Sequence, residues 1–136
     1  AWPDGIFHKI TRSVISSDPH ILVIRDDAEY VRETMSSFRL HTHGSITQDG
    51  NRWIISQDGL QVTVYPLNYR PCKAISGEYG MDQYTNPVNC LRLYVEKAMS
   101  HHIVTILEIS RAGEASLQLL GDGTASYHGQ TVDTRL

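Results

Sequence analysis

"HGSITQDGNRWIISQDGLQVTVYP", His43 to Pro66, decides the fold. Asp49-Gly50 and Asp58-Gly59 interrupt three short runs of strand-forming residues. Glycine accepts the positive φ that a tight hairpin requires, so Asp-Gly between alternating segments predicts two successive hairpins. Side chains alternate along a strand. Leu60, Val62 and Val64 therefore face one side of the third strand, and Gln61, Thr63 and Tyr65 the other.

The same character extends in both directions. Phe7 to Ser16 reads as a first strand, closed by Asp18-Pro19, and His20 to Arg25 is a short β-branched run suited to burial on both faces. Asp26 to Ser37 is polar and reads as a loop or one or two helical turns. Phe38 to Thr47 is extended again. Pro66 to Asn89, rich in Gly, Pro, Asn and Tyr, lacks a long period, and connections of such length are often functional. Cys90 to Val95 alternates, His102 to Ile109 is apolar, and turns at Gly121-Asp122-Gly123 and Gly129-Gln130 mark a final meander. About ten short strands with regular turn signals and no long helix predict an all-β protein, an antiparallel β-sandwich forming a single domain over residues 1–136.

Composition narrows the function. The chain has 136 residues, 40% of them hydrophobic and 20% charged, enough to bury a core. Its formal net charge is -3 with scattered Arg and Lys, which argues against a nucleic-acid partner. No apolar run spans a bilayer and no signal peptide is visible, so no membrane partner is expected. The chain starts at Ala1 without Met and is expected to be a processed chain or a piece of a longer one. Cys72 and Cys90 are a possible disulfide: in an exported protein they would close a loop of about 19 residues, worth roughly 3 kcal/mol, whereas in a cytosolic one they would be free thiols.

Three groups of residues bear on chemistry. His41 and His43 stand two apart in "RLHTHGSI", on one face of an extended segment. Metal binding, sugar contact and ordinary strand surface are all open to such a pair. No motif supplies the further ligands of a structural zinc site, so neither a metal nor a cofactor is expected. Trp53, Tyr69, Tyr79 and Tyr84 offer flat rings on which sugar faces stack, with Arg70 among the polar partners; the alternative is that the tyrosines pin the long connection to the sandwich. Finally, no GxSxG, HExxH or P-loop is present, and no carboxylate pair is marked out for hydrolysis, so the free-standing chain reads as non-catalytic.

The order of segments resembles a known family. "HKITRSVISSDPHILVIRDD", "FRLHTHGSI", the meander ending "LQVTVYPL" and "HHIVTILEISRAGEASLQLLGDGTASYHGQTV" are similar to the C-terminal β-sandwich domain of heparinase II/III-like polysaccharide lyases. In that pattern an Arg-bearing strand precedes an apolar strand ending in Asp, matched by Arg12 and by Ile21 to Asp26. A strand ending in Leu-His follows, matched by Leu40-His41. The resemblance implies an N-terminal helical catalytic domain as partner, β-elimination on uronic-acid polysaccharides by the parent, and a secreted or periplasmic location. The helical toroid and the family's His-Leu-Asp-Ala-Gly type segment have no counterpart here, so no catalytic or zinc residue carries over. The expected role is a non-catalytic domain that supports a parent enzyme or helps bind an acidic polysaccharide. The rivals are an independent carbohydrate-binding module and a structural or protein-interaction sandwich.

Overall fold

The computed structural model describes residues 5–67, 72–81, 87–120 and 124–134, with backbone alone for 72–81 and 87. Ten strands are present and no helix occurs among these residues: β1 (Phe7–Asp18), β2 (Ile21–Thr42), β3 (Ser45–Asp49), β4 (Arg52–Gln57), β5 (Leu60–Leu67), β6 (Cys72–Met81), β7 (Pro87–Arg111), β8 (Gln118–Leu119), β9 (Ala125–Tyr127) and β10 (Gln130–Val132). A seven-stranded sheet has the order β1-β2-β7-β5-β4-β3, with β6 paired to β7, and β10-β9-β8 form a small second sheet. Every pairing is antiparallel.

The predicted meander is there. Asp58 and Gly59 both have positive φ (53° and 79°), as a two-residue hairpin turn requires, and Gly50 has φ 60°. The expected alternation of β5 is also found, but both of its faces are covered. Val62 and Val64 join one apolar cluster, while Tyr65 joins another.

Two strands are not short. β2 has 22 residues and β7 has 25. At about 3.3 Å per residue they would run roughly 70 and 80 Å if straight, too long for a domain of this size, and both bend. From Glu29 to Thr34 β2 advances past a stretch of β7 that runs only from Ser100 to Ala98, and a second register shift lies between Thr34 and Ser36. These bulges let the two strands turn a corner together and enter a second layer, one of the ways sandwiches are closed. Asp26 to Ser37 is therefore strand rather than the loop or helical turns expected. Its polarity comes from lying at the corner, where Val31 and Met35 are exposed.

The fold-back creates the main core. Ile24 of the first half of β2, Phe38 of its second half, Leu91 and Leu93 of β7, and Trp53, Ile55 and Val64 of the meander share one cluster. The other side of the large sheet is covered by the small sheet: Leu117, Ala125 and Val132 pack on Ile21, Val23, Tyr65, Leu67, Val104 and Ile106. Glu108 ties these layers together. Its carboxylate is fully buried and accepts the Tyr65 hydroxyl at 2.7 Å, the Ser116 backbone N–H at 2.7 Å and the Leu117 N–H at 3.2 Å. A buried carboxylate is tolerable because its oxygens are supplied with donors.

The two cysteines stand apart in the strand register. Cys90 is a buried free thiol. Cys72 stands opposite Val95 on β7, five residues beyond Cys90. That is about 16 Å along the strand, beyond the roughly 7 Å Cα separation a disulfide can bridge.

Candidate functional site

"RLHTHGSI" carries the chain out of the folded-over layer and into β3. His41 is the penultimate residue of β2, opposite Cys90, and His43 lies just past the strand's end; both are exposed. Gly44 is buried, and a Cβ there would meet the Ser56 carbonyl oxygen at 2.6 Å. The Asn89 side-chain amide donates to the Gly44 carbonyl at 2.7 Å, and the Gly44 N–H donates to Thr42 Oγ1 at 2.9 Å. The two imidazoles thus flank a tight, hydrogen-bonded crossing. Among the described residues no three His, Cys, Asp or Glu side chains gather as a metal site would need.

The register brings Tyr79 to the same end of the layer, because Asn89 pairs with Thr42 on one side and with Tyr79 on the other. Trp53 does not join them. It is only 5% exposed and packs in the main core, so it cannot stack on a sugar. Its β4 position faces the folded-back layer, which a local reading of the meander does not contain. Tyr69, Arg70 and Tyr84 lie outside the described residues.

A second region emerges only from the bend. β1 is the outermost strand of the large sheet, while the folded-over layer ends at the second half of β2. The face of β1 bearing Ile10, Arg12 and Val14 is left partly uncovered, and between it and β2 lies an open groove of about 740 Å³. In it the Arg12 guanidinium grips both oxygens of Asp26, with the Nη2–Oδ2 contact at 2.8 Å, and lies 5.8 Å from the centroid of the Phe38 ring. Cation and ring are in attractive range. On the opposite wall Arg39 Nε donates to Ser37 Oγ at 3.2 Å.

The groove's deep end is a buried polar chain. Tyr30 O–H lies 2.8 Å from His101 Nδ1, and His101 Nε2 lies 2.8 Å from the Glu96 carbonyl oxygen. A carbonyl only accepts, so Nε2 carries the hydrogen, and a neutral ring then accepts the Tyr30 proton at Nδ1. Burial raises the Tyr30 hydroxyl above its ordinary pKa, against a lowering contribution from Ser36. The phenol therefore stays protonated and acts as a donor, not a base. Its partners on β7 mark it as a clasp for the corner.

Beyond the small sheet, on the other face, Asp27 accepts Arg25 Nε at 2.8 Å and pairs with His102 Nδ1 at 2.7 Å. Desolvation works against its charge, but these bonds outweigh it and hold the carboxyl below its ordinary pKa. His101 and His102 point to opposite faces, as expected of adjacent strand residues.

Neither a family model nor a curated protein matches the sequence. The fold does have relatives among solved structures. Heparan sulfate lyase HepC from Pedobacter heparinus matches with a TM-score of 0.66 at 17% identity, over 90% of this chain and 23% of that one. A mutant of the same enzyme matches with a TM-score of 0.64 at 16% identity, again over 90% and 23%. The likeness inferred from the sequence, to the β-domain of heparinase-like polysaccharide lyases, is thus present at the level of fold. The chain corresponds in length to under a quarter of the lyase it matches.

Proposed function

We propose that residues 1–136 form a non-catalytic β-sandwich domain of a larger protein related to heparinase-like lyases, where it supports a helical catalytic domain and helps bind an acidic polysaccharide. The observation that carries this reading is the match of nearly the whole chain to a minor part of a heparan sulfate lyase. The parent reaction would be β-elimination on a uronic-acid polysaccharide, outside the cytoplasm. Glycan contact is assigned to the exposed His41 and His43 and, beside them, to the Tyr79 end of β6; Tyr69, Arg70 and Tyr84 remain candidates on their sequence alone. Neutral imidazole offers a donor and an acceptor to hydroxyls, and imidazolium attracts a carboxylate.

The chain alone is expected to show no formation of unsaturated uronate from heparan-, chondroitin- or alginate-type substrates, because proton abstraction, carboxylate neutralisation and leaving-group protonation need groups preorganised about one carbon. Turnover above buffer would refute the non-catalytic role. An independent carbohydrate-binding module is the second reading, and sequencing the upstream gene region separates the two: several hundred helical residues support the first.

A further inference from the structure

We infer that the groove between β1 and the second half of β2 is a subsite for an anionic sugar unit, with Arg39 as its ion-pairing residue. This rests on the acidic-glycan reading above and moves the principal charged contact from the histidine rim to the groove.

Three observations carry it. The first is charge. Arg12 and Arg39 line the groove with Asp26, and the two oxygens of that carboxylate are both engaged by Arg12. Arg39 is exposed, hydrogen-bonds Ser37, and has no carboxylate partner among the described residues.

The second is the mixture of surfaces. Ile10 and Met35 are 51% and 55% exposed at the groove, and Thr34, Ser36 and Ser37 add hydroxyls. A pyranose carries both kinds of surface, apolar C–H faces and a girdle of hydroxyls. The guanidinium fork suits a carboxylate or a sulfate, since it presents paired N–H donors.

The third is shape. A volume of about 740 Å³ falls in the range of small-molecule sites. The opening is lateral, at the edge where no strand among the described residues lies above β1, so a longer chain can enter and leave without threading.

The test uses NMR titration of the chain with an alginate-type oligouronate, a heparan-type oligosaccharide and a neutral cello-oligosaccharide of equal length. The expected result is that both acidic probes shift the Thr34 to Arg39 amides and the Arg39 side chain, and the neutral one does not. Comparing the acidic probes separates carboxylate from sulfate recognition. Arg39→Gln is expected to weaken acidic binding about tenfold, the scale of one charge-assisted pair, with Arg39→Lys intermediate. Asp26→Asn is expected to tighten it by removing the groove's negative charge. If His41→Ala/His43→Ala abolishes binding while Arg39→Gln leaves it unchanged, the groove assignment falls and the glycan reading stands. If neither acidic probe binds the unaltered chain, both fall.

Discussion

Arg12 and Asp26 face each other in register across β1 and β2 and form a two-point ion pair at the mouth of the sandwich. These are the two polar positions on which the family likeness of the first strands rested. The fold shows what they do: they join the otherwise exposed edge strand to its neighbour, on the face that looks into the groove.

The pair is half exposed on the Arg12 side, so its worth is modest. A double-mutant cycle with Arg12→Gln and Asp26→Asn, measured by urea unfolding, is expected to give a coupling of about 0.5–1 kcal/mol, decreasing with added salt. The Phe38 ring contact sets the order of the single variants: Arg12→Gln should cost more stability than Asp26→Asn, because it removes two interactions.

Trp53→Ala is expected to destabilise by about 3–5 kcal/mol, the usual cost of truncating a buried aromatic. Trp53→Phe should cost much less and leave acidic-glycan affinity unchanged. A selective loss of affinity in the Phe variant, with stability retained, would restore the stacking role that burial denies it.

Gly44→Ala forces a methyl group towards the Ser56 backbone oxygen, which has no flexible side chain to move aside. A cost of about 1–3 kcal/mol is expected, with hydrogen-exchange protection lost first at the junction of β3 and β4.

Stability should fall at both ends of the pH scale, for separate reasons. Asp27 has a folded pKa below its unfolded value of about 4, so its contribution is complete above that value and is lost as pH falls through the folded one. Asp27→Asn should flatten the acid limb. Tyr65 behaves oppositely: burial, then its bond to Glu108, push its pKa up to about 12. Its contribution is complete below the unfolded value of about 10 and is lost as pH rises towards the folded one. Tyr65→Phe should flatten the alkaline limb in a denaturant–pH map.

Glu108→Gln replaces two acceptors with one acceptor and one donor, facing the Ser116 and Leu117 N–H groups. A loss of about 2–3 kcal/mol is expected, and the small sheet should lose hydrogen-exchange protection before the large one.

Much of the fold could be read locally. Hairpins at Asp49-Gly50 and Asp58-Gly59 depend on residues adjacent in sequence, and the alternation from Leu60 to Tyr65 follows from strand geometry alone. The corner could not be read so. Asp26 to Ser37 is polar because both strands turn there, and that depends on pairing with Ala98 and Ser100, far away in the chain. The burial of Trp53 follows from the same corner, since the layer above it consists of the returning halves of β2 and β7. The groove was illegible for a related reason: Arg12 and Asp26 could be read as strand anchors and Arg39 as one of many scattered cations, but only the corner brings the three to one groove. His41 and His43 were read as a same-face pair on one strand, whereas β2 ends at Thr42, between them, and runs into the crossing at Gly44.

The corner also dictates the order of events during synthesis. Ile21 pairs with Glu108 and Thr42 with Asn89, so the central ladder of the molecule cannot start until most of the chain has left the ribosome. The meander from Ser45 to Leu67 needs only neighbours, so it can pair first, while β1 and the long β2 wait. Such distant pairing slows folding and leaves strand edges exposed in the interval. The polar run from Asp26 to Ser37, in the middle of the waiting strand, then acts as a gatekeeper against premature association between nascent chains.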